Sequence, residues 1–212
     1  METYLARFLL IRHGTTDWVD AQILHGITDV QLNALGRAQA EDTAQALAGT
    51  AVNNIYASSL SRCMETAKVI GNAAGVDPLP MDALIEIDFG WLEGKKIRDH
   101  DRGEYSKLIE FFDHQVFNLV RVLSGEPKKK FSKRVLGAWE QIVSENPQGT
   151  AIVVGHSGVF NTILMHLFGN RYLNGNSYHH LNPCSITEIR LKGGPAELAR
   201  LNDRSHLLEE NR

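Results

Sequence analysis

Short apolar runs alternate with longer stretches in which apolar positions recur every three or four residues. The first run, Phe8 to Ile11, is followed by a helical period from about Asn33 to Ala48. The second, Asn54 to Ala57, is followed by one from about Leu60 to Ala74. Beyond these come Leu84 to Phe89, a helical period from Phe131 to Glu145, the run Ala151 to Val154, and a helical period from about Gly158 to Phe168. Two more strand-like stretches, Ser185 to Leu191 and Glu197 to Leu201, precede a polar tail that is expected to fray. This alternation predicts an α/β fold in three layers, with a mostly parallel central sheet and helices on both faces. Runs that are apolar at every position suit strands covered on both sides, and the carboxyl ends of such strands form the ligand crevice.

Residues 95 to 130 depart from the pattern. Their helical period is broken, with an aromatic pair at Phe111-Phe112 and a basic run from Lys128 to Lys130. They read as a helical insertion that covers something, like a lid. The lysines read as a solvated face, with a basic cover gripping a second anionic group as the alternative. The whole chain, residues 1–212, fits one domain.

Composition mainly excludes. Hydrophobic residues at 43% and charged residues at 22% fit an ordinary globular protein and argue against disorder or a collagen-like repeat. A net charge of −3 gives no electrostatic footprint for nucleic acid. No apolar stretch is long enough for a membrane span, and Glu2 stands where a signal peptide would be basic. Cys63 and Cys184 are far apart and form no Cys-x-x-Cys pair, so neither a disulfide framework nor a zinc ribbon is indicated. A cytoplasmic setting is the expectation.

The chemistry gathers where strands end. The run Phe8 to Ile11 gives way to Arg12-His13-Gly14, which puts two polar side chains at the carboxyl end of a buried strand. Taken alone, these could simply be solvated or bonded to a neighbour. The run Ile152 to Val154 ends in the same way, in Gly155-His156-Ser157-Gly158, and a helix begins there with its unsatisfied N–H groups. After Tyr56-Ala57-Ser58, Arg62 falls in the first turn of a helix, where the positive end of the dipole disfavours it unless an anion lies nearby. Pairing of Arg62 with Glu65 or Asp42 is the plainer alternative. Together, two arginines, two histidines and a helix N-terminus at one sheet edge make a phosphate site. Strand alternation over Leu84 to Phe89 puts Glu86 and Asp88 on one face, from which an acid for the leaving group could come.

These residues resemble the histidine phosphatase superfamily, in the branch that includes cofactor-dependent phosphoglycerate mutases and many small phosphatases. Five segments match in order: Arg12-His13-Gly14; His25-Gly26 with Asp29, Leu32, Gly36, Gln39 and Ala40; Ser58 to Ala67; Glu86 to Gly94; and Val154 to Gly158. The resemblance implies His13 as nucleophile, Arg12, Arg62 and His156 as the phosphate pocket, and Glu86 as proton donor. Two positions depart from it. Val19 follows Trp18 where the family often has asparagine, and His25 precedes Gly26 where it often has glutamine.

The expected reaction is metal-independent hydrolysis of a small phosphate ester through a phosphohistidine on His13, with no cofactor. Arg12, Arg62 and His156 would supply the charge that metal ions bring elsewhere. A mutase-like phosphotransferase would use the same pocket, and the substrate and any pairing into a homodimer are left open. A metal hydrolase is disfavoured, since adjacent His179 and His180 would point opposite ways on a strand.

Overall fold

The computed structural model describes residues 5–96, 125–169 and 180–212. Its main elements are β1 (Ala6–Arg12), α1 (Asp17–Asp20), α2 (Ala34–Leu47), β2 (Asn54–Ala57), α3 (Ser61–Ala74), β3 (Pro78–Pro80), α4 (Lys128–Glu145), β4 (Gly149–Gly155), α5 (Ser157–Phe168), β5 (Ile186–Leu191) and β6 (Glu197–Asp203). The strands form one sheet in the order β3-β2-β4-β1-β5-β6. The first four in that order run parallel, and β5 is antiparallel to both of its neighbours.

Alternation along each strand sorts its apolar side chains between two cores. Phe8 and Leu10 of β1, Tyr56 of β2 and Val153 of β4 pack with Trp139 and Ile142 of α4 and with Val159, Phe160 and Ile163 of α5. Leu9, Ile11, Ile55, Ala57, Ile152 and Val154 pack instead with Ala44 and Leu47 of α2 and with Cys63, Ala67 and Ile70 of α3. Two of the described helices therefore cover each face, which is the expected three-layer, mostly parallel arrangement. It also explains why the middle of β1, Phe8 to Ile11, and that of β4, Ala151 to Val154, is apolar at every position.

Three expectations change. Leu84 to Phe89 is not a strand: Leu84 closes a 3₁₀ turn, Asp82–Leu84, and an irregular loop follows. Leu84 and Ile87, three apart, are its buried residues, which is not the alternation of a strand. The loop's carbonyls are taken by the side chain of Arg134 rather than by a neighbouring strand. The edge of the sheet is instead β3, whose two prolines an edge position tolerates.

The tail does not fray. Leu207 is buried, the Leu208 N–H and the Asn211 side chain donate to Asp42, and Gln39 donates to the Asn211 carbonyl. Polar side chains of α2 thus supply the partners that a free end would lack. Helix α4 begins three residues before its apolar period, because the exposed Lys128 to Lys130 fill a first turn with no core face. The rest of the insertion, residues 97–124 with Phe111-Phe112, lies outside the described residues, as does His179.

Candidate active site

Strands β1 and β4 are paired with Arg12 opposite Gly155, so the next residue of each chain segment, His13 and His156, emerges at the same sheet edge. The His13 N–H donates to the Gly155 carbonyl at 3.0 Å, extending the ladder one step into the site. The two imidazoles lie edge to face with centroids 5.2 Å apart, and both are almost fully buried. Gly14 is needed for close approach: a Cβ there would lie 2.4 Å from the Gly36 carbonyl oxygen at the start of α2.

His13 has its tautomer set by a backbone contact. Its Nδ1 lies 2.8 Å from the Gly14 carbonyl oxygen, which can only accept, so Nδ1 carries the proton and Nε2 keeps its lone pair. Burial, then the charges of Arg62 and Arg12, hold the His13 pKa well below the usual histidine value. His156 is held low in the same way, by burial and then by Arg62. Its Nε2 is 2.9 Å from the Ser58 hydroxyl, its Nδ1 is 3.4 Å from Arg62 Nη2, and Cys63 Sγ lies 3.5 Å from Nε2. Since the guanidinium can only donate, the proton of His156 sits on Nε2 and is given to Ser58.

Arg62 reaches this cluster rather than the surface. Its guanidinium, fully buried, donates to the Thr28 carbonyl at 2.8 Å and to the Gly26 carbonyl at 2.9 Å. The plainer alternative falls, because Glu65 is ion-paired to Arg37 and Asp42 binds the C-terminal tail. Its Nε–H is buried without a partner among the described residues, a costly arrangement that a bound acceptor would relieve. Arg12, also buried, donates to the Leu181 carbonyl at 2.5 Å.

Glu86 completes the group. Its Oε2 accepts from the Gly158 N–H at 2.9 Å and its Oε1 from the Ile87 N–H at 2.9 Å, so the acid loop docks on the N-terminus of α5, one turn from His156. A Cβ at residue 158 would meet Glu86 Oε1 at 2.3 Å and displace the carboxyl from this seat. Burial raises the carboxyl above its usual pKa, against the two N–H donors and the charges of Arg62 and Arg12. Asp88 plays a different part. Its Oδ1 accepts from the Gly90 N–H at 2.6 Å and shapes the turn.

Arg12, His13, Arg62, Glu86 and His156 are thus gathered in one place. His25 joins them, its ring centroid 6.3 Å from that of His13 and 5.5 Å from that of Trp18. Its Nε2 lies 2.6 Å from the Thr16 hydroxyl, and burial, followed by Arg62 and Arg12, lowers its pKa to about 3. The ring is neutral at ordinary pH. Val19 is half-buried in the one-turn helix α1, where its N–H caps onto Thr16.

Sequence reasoning missed the ties between loops. Asp29 accepts from the Ser61 N–H and hydroxyl, fixing the start of α3 just before Arg62. Glu93 accepts from the Ile27 and Thr28 N–H groups and from the Phe89 N–H, joining the loop under Arg62 to the loop of Glu86. A carboxylate in an irregular loop carries no periodic signal, and only an excess of unpaired backbone donors around it would have marked it.

Residues 8–204 match the histidine phosphatase superfamily, branch 1. The chain belongs to this superfamily. A probable phosphatase of Schizosaccharomyces pombe is 30% identical over 215 residues, which cover 96% of each chain. A probable phosphoglycerate mutase, GpmB, of Proteus mirabilis is 26% identical over 191 residues, 88% of this chain and 85% of its own. Among solved structures, a mutant phosphoserine phosphatase from Entamoeba histolytica in complex with phosphoserine superposes with a TM-score of 0.75 at 26% identity. It covers 96% of this chain and all of its own. The enzyme class read from the sequence, a histidine phosphatase, agrees with these relatives. Among the described residues no helix is long and apolar enough to cross a membrane.

Proposed function

We propose that the chain is a metal-independent phosphomonoesterase that hydrolyses a small phosphorylated metabolite through a phosphohistidine on His13. The observation that carries this reading is the 2.8 Å contact of His13 Nδ1 with the Gly14 carbonyl, which leaves Nε2 unprotonated beside Arg12, Arg62 and His156. Nε2 attacks phosphorus in line as the ester P–O bond breaks, and the Glu86 carboxyl gives its proton to the departing oxygen. Water then attacks the phosphohistidine, Glu86 takes back a proton, and inorganic phosphate leaves. Arg12, Arg62 and His156 are the phosphate ligands in this reading, with His156 turning to the phosphate the Nε2 proton that it otherwise gives to Ser58, and the placement of these groups supplies most of the barrier reduction. Two guanidinium groups also make the pocket unfavourable for a divalent cation.

The raised Glu86 suits a proton donor, since burial already favours the acid form and a bound phosphate dianion favours it further. A mildly acidic optimum follows. Phosphoserine in the Entamoeba structure makes small carboxylate-bearing phosphates the first substrates to try. The buried free cysteines fit a reducing, cytoplasmic setting. A second copy of the chain is the one macromolecular partner to look for.

The second reading, phosphotransfer of the mutase type, rests on the resemblance to the GpmB relative. Offering 3-phosphoglycerate with a trace of 2,3-bisphosphoglycerate, and separately a panel of monoesters, separates the two. Phosphate release faster than isomer exchange is expected. Isomer exchange far faster than phosphate release on every substrate would make the chain a mutase.

A further inference from the structure

The loop that bears Glu86 has no strand partner, so its backbone carbonyls must be satisfied by something else. Arg134, in the second turn of α4, does this with every donor it has. Nη1 donates to the Ala83 carbonyl at 3.1 Å and to the Ile85 carbonyl at 2.5 Å, and Nη2 donates to the Glu86 carbonyl at 3.0 Å. The remaining two N–H groups, on Nε and Nη2, form a fork on the Glu126 carboxylate at 2.9 and 2.6 Å. The guanidinium also sits over the Phe131 ring, 4.8 Å from its centroid. A planar group gripped on one edge by a carboxylate, on the other by three carbonyls, and backed by an aromatic face has little freedom left.

Glu126 is fixed in turn. Its N–H donates to the Asp88 carbonyl at 2.9 Å, and the adjacent Gly125 approaches so closely that a Cβ would lie 2.3 Å from the same oxygen. Residues 125–134 thus hold the acid loop at Ala83, Ile85, Glu86 and Asp88, on both sides of the carboxyl's own Cα. We infer that Arg134, paired with Glu126, is the positioning residue of the acid: it fixes the main chain of Glu86 so that the carboxyl stays against the N-terminus of α5, within reach of a leaving group. The inference rests on Glu86 being the acid of the proposed reaction. Every N–H of Arg134 is taken by the loop carbonyls and Glu126, which leaves none for a substrate, so its effect must pass through Glu86. A lysine there could hold one or two of these acceptors but not the fork.

The experiment compares wild type with Arg134→Gln, Arg134→Lys and Glu126→Gln on an alkyl phosphate, whose alkoxide needs a proton, and on p-nitrophenyl phosphate, whose leaving group barely does. Arg134→Gln is expected to lower kcat on the alkyl ester by roughly 10- to 100-fold, as for other groups that orient a reacting residue. The p-nitrophenyl rate should stay within about threefold, and Arg134→Lys should recover part of the loss. In a Glu86→Gln background, Arg134→Gln should remove nothing more from the alkyl rate. Equal losses on both substrates that persist in that background would mean that Arg134 only stabilises the fold, and the inference would be overturned.

A second readout does not depend on turnover. The carboxyl ¹³C resonance of Glu86, identified by its loss in Glu86→Gln, should shift and titrate differently in Arg134→Lys and Glu126→Gln. An unchanged titration in these folded variants overturns the inference. Absence of any leaving-group dependence in Glu86→Gln itself would remove the acid assignment, while a displaced Glu86 resonance would still uphold the clamp.

Discussion

His13 and Glu86 serve the two halves of one proposed transfer, yet the chain holds them by different means. His13 extends β1 by one residue, and its N–H continues the β1–β4 ladder onto Gly155. Strands on both sides and helices on both faces place it, so no single side chain decides where it sits. Glu86 lies in a loop without strand pairing, and its position depends on Arg134 and Glu126 from α4 and the turn before it, on Glu93 through Phe89, and on the Gly158 N–H. A residue placed by a sheet tolerates changes around it and fails only when it is itself replaced. A residue placed by a few side chains can be disabled from a distance.

Replacing each residue in turn is the strongest way to break that contrast. His13→Ala should abolish turnover, by on the order of 10⁴-fold or more, while the fold persists, because the ladder uses backbone and no other group stands in line. Phosphate release against thermal unfolding checks both halves of that statement. Glu86→Gln should cost less and unevenly, about 10²-fold or more for alkyl esters and little for p-nitrophenyl phosphate. Asp88→Asn should leave the leaving-group dependence of the wild type intact, since Asp88 shapes the Gly90 turn rather than facing the pocket. A stronger dependence in Asp88→Asn than in Glu86→Gln would mean that the wrong carboxylate had been assigned.

Smaller effects sharpen the electrostatic side. His13, His25 and His156 all have native pKa values below 6.5, so the unfolded chain takes up protons that the native chain refuses. Their contribution to stability is complete above 6.5 and is lost as pH falls below it. Glu86 has the opposite sign, its contribution being present below 4.5 and lost as pH rises through its raised native pKa. His25→Gln should therefore flatten the fall in stability between pH 6.5 and about 3, which denaturant unfolding at several pH values would register. The smallest expected effect is that of chelation: activity should survive EDTA unchanged and be inhibited by vanadate, since Arg12 and Arg62 supply the charge. Loss of activity on chelation, restored by zinc or magnesium, would contradict this.

The same contrast explains what could be read from the sequence. Apolar runs ending abruptly in Arg12-His13 and Gly155-His156 announced both histidines, because burial on two faces leaves a continuous apolar signature up to the site. Arg62 was legible through its poor fit to a helix N-terminus, which its bonds to the Gly26 and Thr28 carbonyls resolve. The acid loop misled, because Leu84, Ile87 and the residues between them mimic a strand while Arg134, 48 residues from Glu86, takes the carbonyls that a partner strand would need. Asp29 and Glu93 fall within the matched segments, but what they bind was not legible, since a carboxylate that satisfies loop N–H groups has no period. The docked tail was hidden for a similar reason: Asp42 reads as an ordinary polar position on α2 until Leu208 and Asn211 are seen to bind it.

That phosphorus passes through Nε2 of His13 is tested most directly by trapping it there. Wild type mixed with a ³²P-labelled monoester and quenched in alkali within the first turnover should yield a phosphoprotein that is stable in base and labile in acid, with the label mapping to the peptide of His13. His13→Ala should yield none. Label on a serine or an aspartate, or no label under conditions that show a burst of released alcohol, would contradict the mechanism.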